Sequence, residues 1–337
     1  MFLVKAAVFV AVVWWLGKKV YEAWRGAAGM KVVIDWRWGA LSILGFCGSM
    51  ITSALVWRWL AYRMGERGAE KKLPTLPLVG AYTFSQMGKY VPGKVALVLM
   101  RIDRARRFGM SAGTCTLSTL VENALYIASG GLCGMLAIFR ILDELRAQKA
   151  ITELQQHLAW PIIIVALAGI LVLCHPTVLY GVLNRAITRM KREPIPPERR
   201  PRFAVVLGAV IGFLPCWLCG GLALWASSRS VYPLDLSAAF WFSGAYALSV
   251  IIGMVSLLPG GLGVREAVLG AAVAIQLSPA VGHDNAVKLA AAAAGLQRLF
   301  QIGAELLLGA AGAALTSRRN AAEEHQSERK PAAESSS

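Results

Sequence analysis

The chain has 337 residues, of which 56% are hydrophobic and only 16% are charged. A soluble domain of this size carries roughly a quarter charged residues, so the composition excludes an ordinary soluble enzyme and indicates a membrane protein. The formal net charge is +16. Because the basic residues flank apolar runs, they indicate loop topology and contact with anionic lipid headgroups, and we expect no nucleic-acid binding.

Long apolar runs predict membrane-spanning helices along most of the chain. In chain order they are Phe2–Leu16, Trp38–Trp57, Ala112–Phe139, Leu158–Leu183, Phe203–Ser228 and Asn285–Leu315. We therefore expect an all-α polytopic membrane protein with about six full spans in a single integral-membrane domain, residues 1–315. It would have two halves, 38–140 and 203–315, joined by a basic hinge over 184–202. The polar, Ser- and Glu-rich residues 316–337 are expected to be disordered.

Two further apolar segments, 76–100 and 236–277, are interrupted by proline and glycine. Proline removes a backbone donor and glycine lowers helix propensity, so a helix should stop or kink at each interruption. Broken backbone at membrane depth is tolerated only where protein or a wet cavity surrounds it. The residues of the two breaks are Pro92, Gly93, Pro259, Gly260, Gly261 and Gly263.

The two broken segments begin alike, because Gly80–Ser85 reads GAYTFS and Gly244–Ser249 reads GAYALS. Each follows a full span and precedes another, so the order span, broken helix, span occurs twice around the hinge. Paired Pro/Gly-interrupted segments in corresponding positions point to a midplane site in transporter folds. We therefore predict an inverted repeat. Positive connectors usually lie on the cytoplasmic side, but re-entrant hairpins would place the positive connector 18–37 outside. A first broken segment that spans the membrane removes this conflict, so both arrangements stay open.

The basic connectors should lie on the cytoplasmic side of the membrane. The strongest are residues 184–202 and the stretch Arg101–Arg107, which we interpret as a short amphipathic piece at the membrane surface.

Charged residues beside the breaks form the candidate site. Cations next to free backbone N–H groups and helix N-termini favour a phosphate or carboxylate group. Nearby acids would balance these cations, or hold a proton or a cationic headgroup. The structural alternative is that acids and bases on adjacent helices pair to stabilise packing. The candidate headgroup-binding residues are Lys89, Lys94, Glu122, Arg265, Glu266 and Arg298, and Gln301 and Glu305 share the helix face of Arg298.

The sequence contains no nucleophile–base pair, HExxH sequence, Walker loop or aspartate-rich diphosphate motif. The four histidines lack metal-ligand spacing, and the six cysteines lie in apolar runs, where cysteine is usually a packing residue. We therefore expect no catalytic residue, no metal and no cofactor. A membrane transferase with few marker residues is the open enzymatic alternative.

The chain resembles the lysylphosphatidylglycerol synthase/flippase transmembrane family over nearly all residues up to about 315. The resemblance rests on KYVPGKV at Lys89–Val95, Glu122 in the next span, LPGGLGVREA at Leu258–Ala267, and Arg298. This family includes the lipid-flipping domain of the multiple peptide resistance factor and free-standing bacterial proteins. Asn123 departs from the pattern, because an arginine often follows the acid there. The chain also lacks the aminoacyl-transferase domain of two-part members, so we expect that it does not make lysyl lipid itself.

The resemblance implies translocation of a lipid between leaflets of the bacterial inner membrane. Phospholipid, aminoacyl lipid, glycolipid and hopanoid-type lipid are all open as cargo, with an anionic headgroup favoured. The alternative function is a non-transporting accessory subunit of an envelope-lipid enzyme. For protein partners, a second copy of the chain and a lipid-synthesising enzyme both stay open.

Overall fold

The computed structural model describes residues 34–65, 73–90, 95–147, 152–189, 195, 197, 200–256, 261 and 263–329, and these residues contain helices and no strand. The predicted first span Phe2–Leu16, most of the connector that follows it, and Pro92, Gly93, Lys94, Pro259 and Gly260 lie outside the described residues.

The described part of the chain contains eleven α-helices and one short 3-10 helix. They are α1 Trp36–Met64, α2 Thr75–Ser85, the 3-10 helix Gln86–Tyr90, α3 Val95–Arg106, α4 Ala112–Ala147, α5 Glu153–Cys174, α6 Pro176–Arg189, α7 Phe203–Gly212, α8 Leu214–Arg229, α9 Ala238–Val255, α10 Val264–Val281 and α11 His283–Arg329. Seven stretches of the described chain are long and apolar enough to cross a membrane. The predicted all-α polytopic membrane protein is confirmed.

The two broken segments differ in length. Helices α2 and α3 have 11 and 12 residues, too few to cross a bilayer. Helices α9 and α10 have 18 residues each and reach spanning length. The second arm, α10, extends beyond the apolar run Ala267–Leu277 at both ends. Its first turn contains Arg265 and Glu266, and its last turn includes Pro279.

Proline also divides two of the predicted spans. The run Leu158–Leu183 is split at His175, whose ψ of 127° is extended because Pro176 disfavours helical backbone before it. The run Phe203–Ser228 is interrupted at Phe213, with Pro215 in the first turn of α8. Helix α11 continues to Arg329, so it runs into the tail for which composition predicts disorder.

Several helix contacts of one half have a counterpart in the other half. Helix α1 packs against α8, its counterpart in the other half. Helix α2 packs against α11, and reciprocally α9 packs against α4. The arms of each broken segment also contact one another, α2 with α3 and α9 with α10. Helix α5 lies at the periphery, where Leu158, Ile162 and Val165 are exposed as expected for a lipid-facing surface.

The matching motifs occupy equivalent places in this packing. A Cβ atom on Gly80 would lie 3.3 Å from the Gly312 carbonyl oxygen, and one on Gly244 would lie 2.7 Å from the Ala137 nitrogen. Each glycine therefore permits its helix to approach the last span of the opposite half closely. The glycine of each GAY motif therefore lies at a close contact between helices.

Candidate functional site

A cavity of about 500 Å³ lies between the two broken segments. Its lining comes from α1, α2, α3, α4, α9, α10 and α11, so both halves of the molecule contribute. Apolar and polar uncharged side chains such as Phe46, Ser53 and Tyr126 form most of the wall. The charged residues among the described lining are Lys89, Arg101, Glu122, Arg265 and Glu305.

In the first half, Arg101 of α3 is only 1% exposed and forms an ion pair with Glu122 of α4. Its Nη1 donates to Glu122 Oε2, and its Nε donates to Ser85 Oγ at 3.1 Å. Tyr82 OH donates to Glu122 Oε1 at 2.7 Å. The guanidinium also stacks over rings, 4.1 Å from the Tyr82 centroid and 5.0 Å from that of Trp57. Both charges are therefore compensated inside the protein.

The burial of Arg101 corrects the interpretation of Arg101–Arg107 as a basic piece at the membrane surface. Arg107 is exposed and pairs with Asp103, as a surface residue would. Arg101 instead points inward, because α3 packs against α2 and α4 and turns one face of the helix toward the cavity. A sequence signal was available: Arg101 follows Tyr82 by 19 positions, and Arg265 follows Tyr246 by 19 positions.

A second compensated cluster surrounds Glu305 of α11. Lys89 Nζ donates to Glu305 Oε1 at 2.5 Å, and Tyr90 OH donates to Oε2 at 2.6 Å. Gln301 Nε2 donates to Oε1 at 2.7 Å. The Lys89 side chain is 23% exposed, so this pair is the wetter of the two that line the cavity. Sequence analysis selected Lys89 as a headgroup-binding candidate and placed Glu305 on the helix face of Arg298, but it did not predict that the two residues pair.

Arg265 of α10 lines the cavity and pairs with no carboxylate among the described residues. It is 7% exposed, and its guanidinium lies 5.6 Å from the Tyr246 ring centroid. It forms no ion pair with any carboxylate in the described part of the chain, and its Nε and Nη2 have no hydrogen-bond partner there. Its aliphatic stem packs on two glycines, since Cβ atoms on Gly253 and Gly261 would lie 2.5 Å from its Cγ and 2.9 Å from its Cδ.

Glu266, the residue after Arg265, is engaged elsewhere. Its Oε2 accepts a hydrogen bond from the Gly263 N–H at 2.6 Å and so caps the start of α10. Its Oε1 lies 3.2 Å from Arg298 Nε. Gly261 and Gly263 have φ values of +68° and +82°, a conformation that favours glycine and explains the break predicted there.

The structure thus divides the predicted headgroup-binding residues into three groups. Lys89, Glu122 and Arg265 line the cavity. Glu266 and Arg298 pair with each other and are not among the lining residues. Lys94 lies outside the described residues. Asn123, where the family often has arginine, lines the cavity, and its Nδ2 donates to the Thr119 carbonyl at 2.7 Å.

Metal-ligating residues do not cluster in the described residues, where no group of three or more His, Cys, Asp or Glu could hold an ion. Cys216 and Cys219 are free thiols, and Cys216 lies within hydrogen-bond distance of Ser49 and Ser53.

The family model of the lysylphosphatidylglycerol synthase TM region matches residues 2–309. The chain belongs to this family. The match confirms the resemblance carried by the two Pro/Gly motifs, Glu122 and Arg298. Comparison with curated proteins finds no match. Together with the seven apolar helices, membership in the family establishes a multi-pass membrane protein and supports a function connected with membrane lipids.

Proposed function

We propose that this member of the lysylphosphatidylglycerol synthase TM family is a flippase-like lipid translocator of the bacterial inner membrane. The observation that carries the proposal is the charged cavity enclosed between two broken helical segments in an otherwise apolar helix bundle. Charged groups inside a membrane domain are costly and mark substrate pathways. A lipid headgroup would cross through this polar cavity while its acyl chains stay in the bilayer.

The similarity of the two halves supports an inverted repeat with re-entrant segments. Ser85 Oγ donates to the Tyr82 carbonyl at 2.6 Å, and Ser249 Oγ donates to the Tyr246 carbonyl at 2.7 Å. Each tyrosine also lies beneath an arginine from the second arm of its segment. Since the arms of each segment pack on each other, both segments suit hairpins that enter from opposite sides of the membrane.

The proposed activity requires no covalent chemistry. The charged side chains of the described cavity are a guanidinium–carboxylate pair, an ammonium–carboxylate pair and Arg265. These groups bind and orient a headgroup, and the proposal assigns them no catalytic function.

Reconstitution into liposomes tests the proposal. Short-chain fluorescent phosphatidylglycerol would be placed in both leaflets, and dithionite quenching would report how fast inner-leaflet lipid becomes accessible. We expect the wild type to exceed protein-free liposomes, and Arg265→Gln to slow transfer by about tenfold, the effect of losing one charge-assisted interaction. The control is Arg63→Gln, which removes an exposed arginine that lies over Trp59 at the end of α1. Equal rates for wild type, Arg265→Gln and protein-free liposomes would reject translocation.

An accessory subunit is the second candidate, favoured by exposed arginines within the hinge 184–202. They are Arg185, Arg189, Arg200 and Arg202. A docking function predicts that reversing these charges impairs lipid synthesis in cells more than Arg265→Gln does. Transport by the purified protein, with no partner present, would argue against it.

A further inference from the structure

One face of α11 carries polar side chains that contact both broken segments. They are Arg298, Gln301 and Glu305, and we call them the polar face of α11. We infer that this polar face couples the two segments, so that a change at one break alters the conformation at the other, with Gln301 as the residue that transmits the change. The use of this coupling in moving a lipid rests on the proposed function, whereas the coupling itself does not.

Glu305 attaches the polar face to the end of the first arm. Lys89 and Tyr90 are the last two residues of the 3-10 helix, just before the first break, and both donate to the Glu305 carboxylate. Gly309 of α11 also lies against this helix, since a Cβ atom there would be 3.4 Å from Met87 Cγ. A displacement of the 3-10 helix therefore changes the hydrogen bonds of Glu305.

Arg298 attaches the polar face to the start of the second arm. Its Nε lies 3.2 Å from Oε1 of Glu266, and the other oxygen of Glu266 accepts the Gly263 N–H at 2.6 Å. Gly263 has a φ of +82° and immediately precedes α10, so this hydrogen bond belongs to the second break itself. The position of the Arg298 guanidinium is therefore linked to the backbone of that break through one carboxylate.

Gln301 joins the two ends of the polar face. Its Oε1 accepts a hydrogen bond from Arg298 Nη1 at 3.4 Å, and its Nε2 donates to Glu305 Oε1 at 2.7 Å. The amide thus presents its acceptor to a cation and its donor to a carboxylate. The flipped amide would place its NH2 group against the guanidinium and its oxygen against the carboxylate, which is repulsive at both ends. The orientation of the amide therefore depends on both charged neighbours.

Burial strengthens the interactions along this face. Arg298, Gln301 and Glu305 are only 1%, 5% and 4% exposed, so solvent does not readily replace a lost hydrogen bond. Hydrogen bonds to charged groups are strong in such surroundings, and in a chain of them each bond polarises the next. A shift at one end is then transmitted by movement of the Gln301 amide rather than absorbed by water.

The packing of α11 gives this coupling a purpose in the proposed translocation. Helix α11 packs against α10 of the second segment and against α2 and the 3-10 helix of the first. In transporters built from inverted repeats, one repeat moves against the other around a fixed site. A connection between the breaks makes their movements concerted, which prevents the cavity from opening to both sides of the membrane at once.

Hydrogen–deuterium exchange of the full chain in nanodiscs tests the coupling, because local opening at each break determines how fast its amides exchange. Peptides that cover residues 86–90 and 263–267 report on the two breaks. Glu266→Gln removes the charge that faces Arg298, and we expect it to accelerate deuterium exchange in 86–90 by roughly fivefold, the lower end of typical coupling between sites. Because coupling is reciprocal, Tyr90→Phe should accelerate deuterium exchange in 263–267 by a similar factor.

Gln301→Met distinguishes transmission along α11 from general loosening of the fold. Methionine has a similar size but no amide, so in this background Glu266→Gln should leave deuterium exchange in 86–90 unchanged. The matched control is Gln297→Met. Gln297 is buried one turn earlier on α11, and among the described residues its amide hydrogen-bonds only to Gln301, at 3.5 Å, so it is a branch of the network rather than a link between the breaks. In the control background the acceleration should persist.

Two results would overturn the inference. One is unchanged deuterium exchange in 86–90 when Glu266→Gln is made in the wild type, and the other is an acceleration that survives Gln301→Met. If Gln301→Met does not fold, the reciprocal effects of Glu266→Gln and Tyr90→Phe decide the question, and the absence of either one rejects the coupling.

The liposome assay separates this coupling from translocation. If the coupling serves translocation, Gln301→Met should slow lipid transfer severalfold and Gln297→Met should not. Loss of coupling in Gln301→Met with unchanged transfer would overturn the inferred use of the coupling. Coupling between the breaks in a protein that transfers no lipid would support the polar face as a connection and reject the proposed function, and rapid transfer without coupling would do the reverse.

Discussion

Arg101 and Arg265 each follow the tyrosine of a GAY motif by 19 positions, and they differ in whether a carboxylate accompanies them. Both are buried, and both lie over a tyrosine of a GAY motif. Arg101 has Glu122 as its anion, whereas Arg265 has no carboxylate partner in the described residues. In the function that we propose, Arg101 with Glu122 stabilises the fold and Arg265 receives a lipid headgroup, so each half serves as a control for the other. The following experiments test this division, from the largest expected effect to the smallest.

Replacing Arg101 should destabilise the fold most. In Arg101→Gln the buried carboxylate of Glu122 loses its cation, which costs about 3–5 kcal/mol of unfolding free energy. Arg265→Gln removes a buried charge that has no carboxylate partner among the described residues, so the variant should be at least as stable as the wild type. Unfolding by increasing SDS in mixed micelles measures both. Adding Glu122→Gln to Arg101→Gln should recover part of the loss, and equal losses for the two single variants would contradict the comparison.

Replacing Lys89 should have an intermediate effect. Lys89→Met leaves Glu305 with hydrogen bonds from Tyr90 and Gln301 but without its cation. Because Lys89 is partly exposed, water replaces some of the lost interaction, and we expect a loss of roughly 1–3 kcal/mol. The double variant Lys89→Met/Glu305→Gln should be more stable than Lys89→Met alone. The same SDS titration measures this, and a double variant no more stable than the single one would refute the pairing.

Glu266 should contribute as a helix cap and as an ion-pair partner, and two substitutions separate these contributions. Glu266→Ala removes the acceptor for the Gly263 N–H and should cost about 1–2 kcal/mol. Glu266→Gln keeps an acceptor oxygen and loses only the charge that faces Arg298, so it should cost less. Equal losses in the SDS titration would show that the cap contributes nothing measurable.

A methyl group beside Arg265 should affect binding more than stability. In Gly253→Ala the new Cβ would lie 2.5 Å from Arg265 Cγ, so the Arg265 side chain must shift from its present position. We expect phosphatidylglycerol affinity, measured by equilibrium binding in nanodiscs, to fall by roughly threefold to tenfold, while unfolding changes by about 1 kcal/mol or less. The matched control is Gly270→Ala on α10, where the nearest atom would be 4.0 Å away. Equal effects of the two substitutions on binding would indicate that the position of Arg265 is unimportant.

The site shows where sequence reasoning succeeds and where it does not. The motif LPGGLGVREA led to Arg265, since a Pro/Gly break followed by charge is unusual in an apolar run. Arg101 was assigned to a surface connector because four arginines in seven residues resemble a cytoplasmic loop. The composition of residues 101–107 gives one average polarity for the whole stretch. In a helix the same residues lie on different faces, and only one face of α3 lines the cavity.

The positions of the helices and of their breaks follow from the sequence alone. Apolar runs identify most of the spans, and Pro/Gly content marks where helices end, because both depend on local interactions with lipid and within one turn. Which carboxylate pairs with which cation does not follow from the sequence. Lys89 reaches an acid 216 positions away, while Arg101 reaches one 21 positions away. Helix packing brings these groups together, and for that reason only the tertiary structure distinguishes Arg101, which pairs with a carboxylate, from Arg265, which has no carboxylate partner among the described residues.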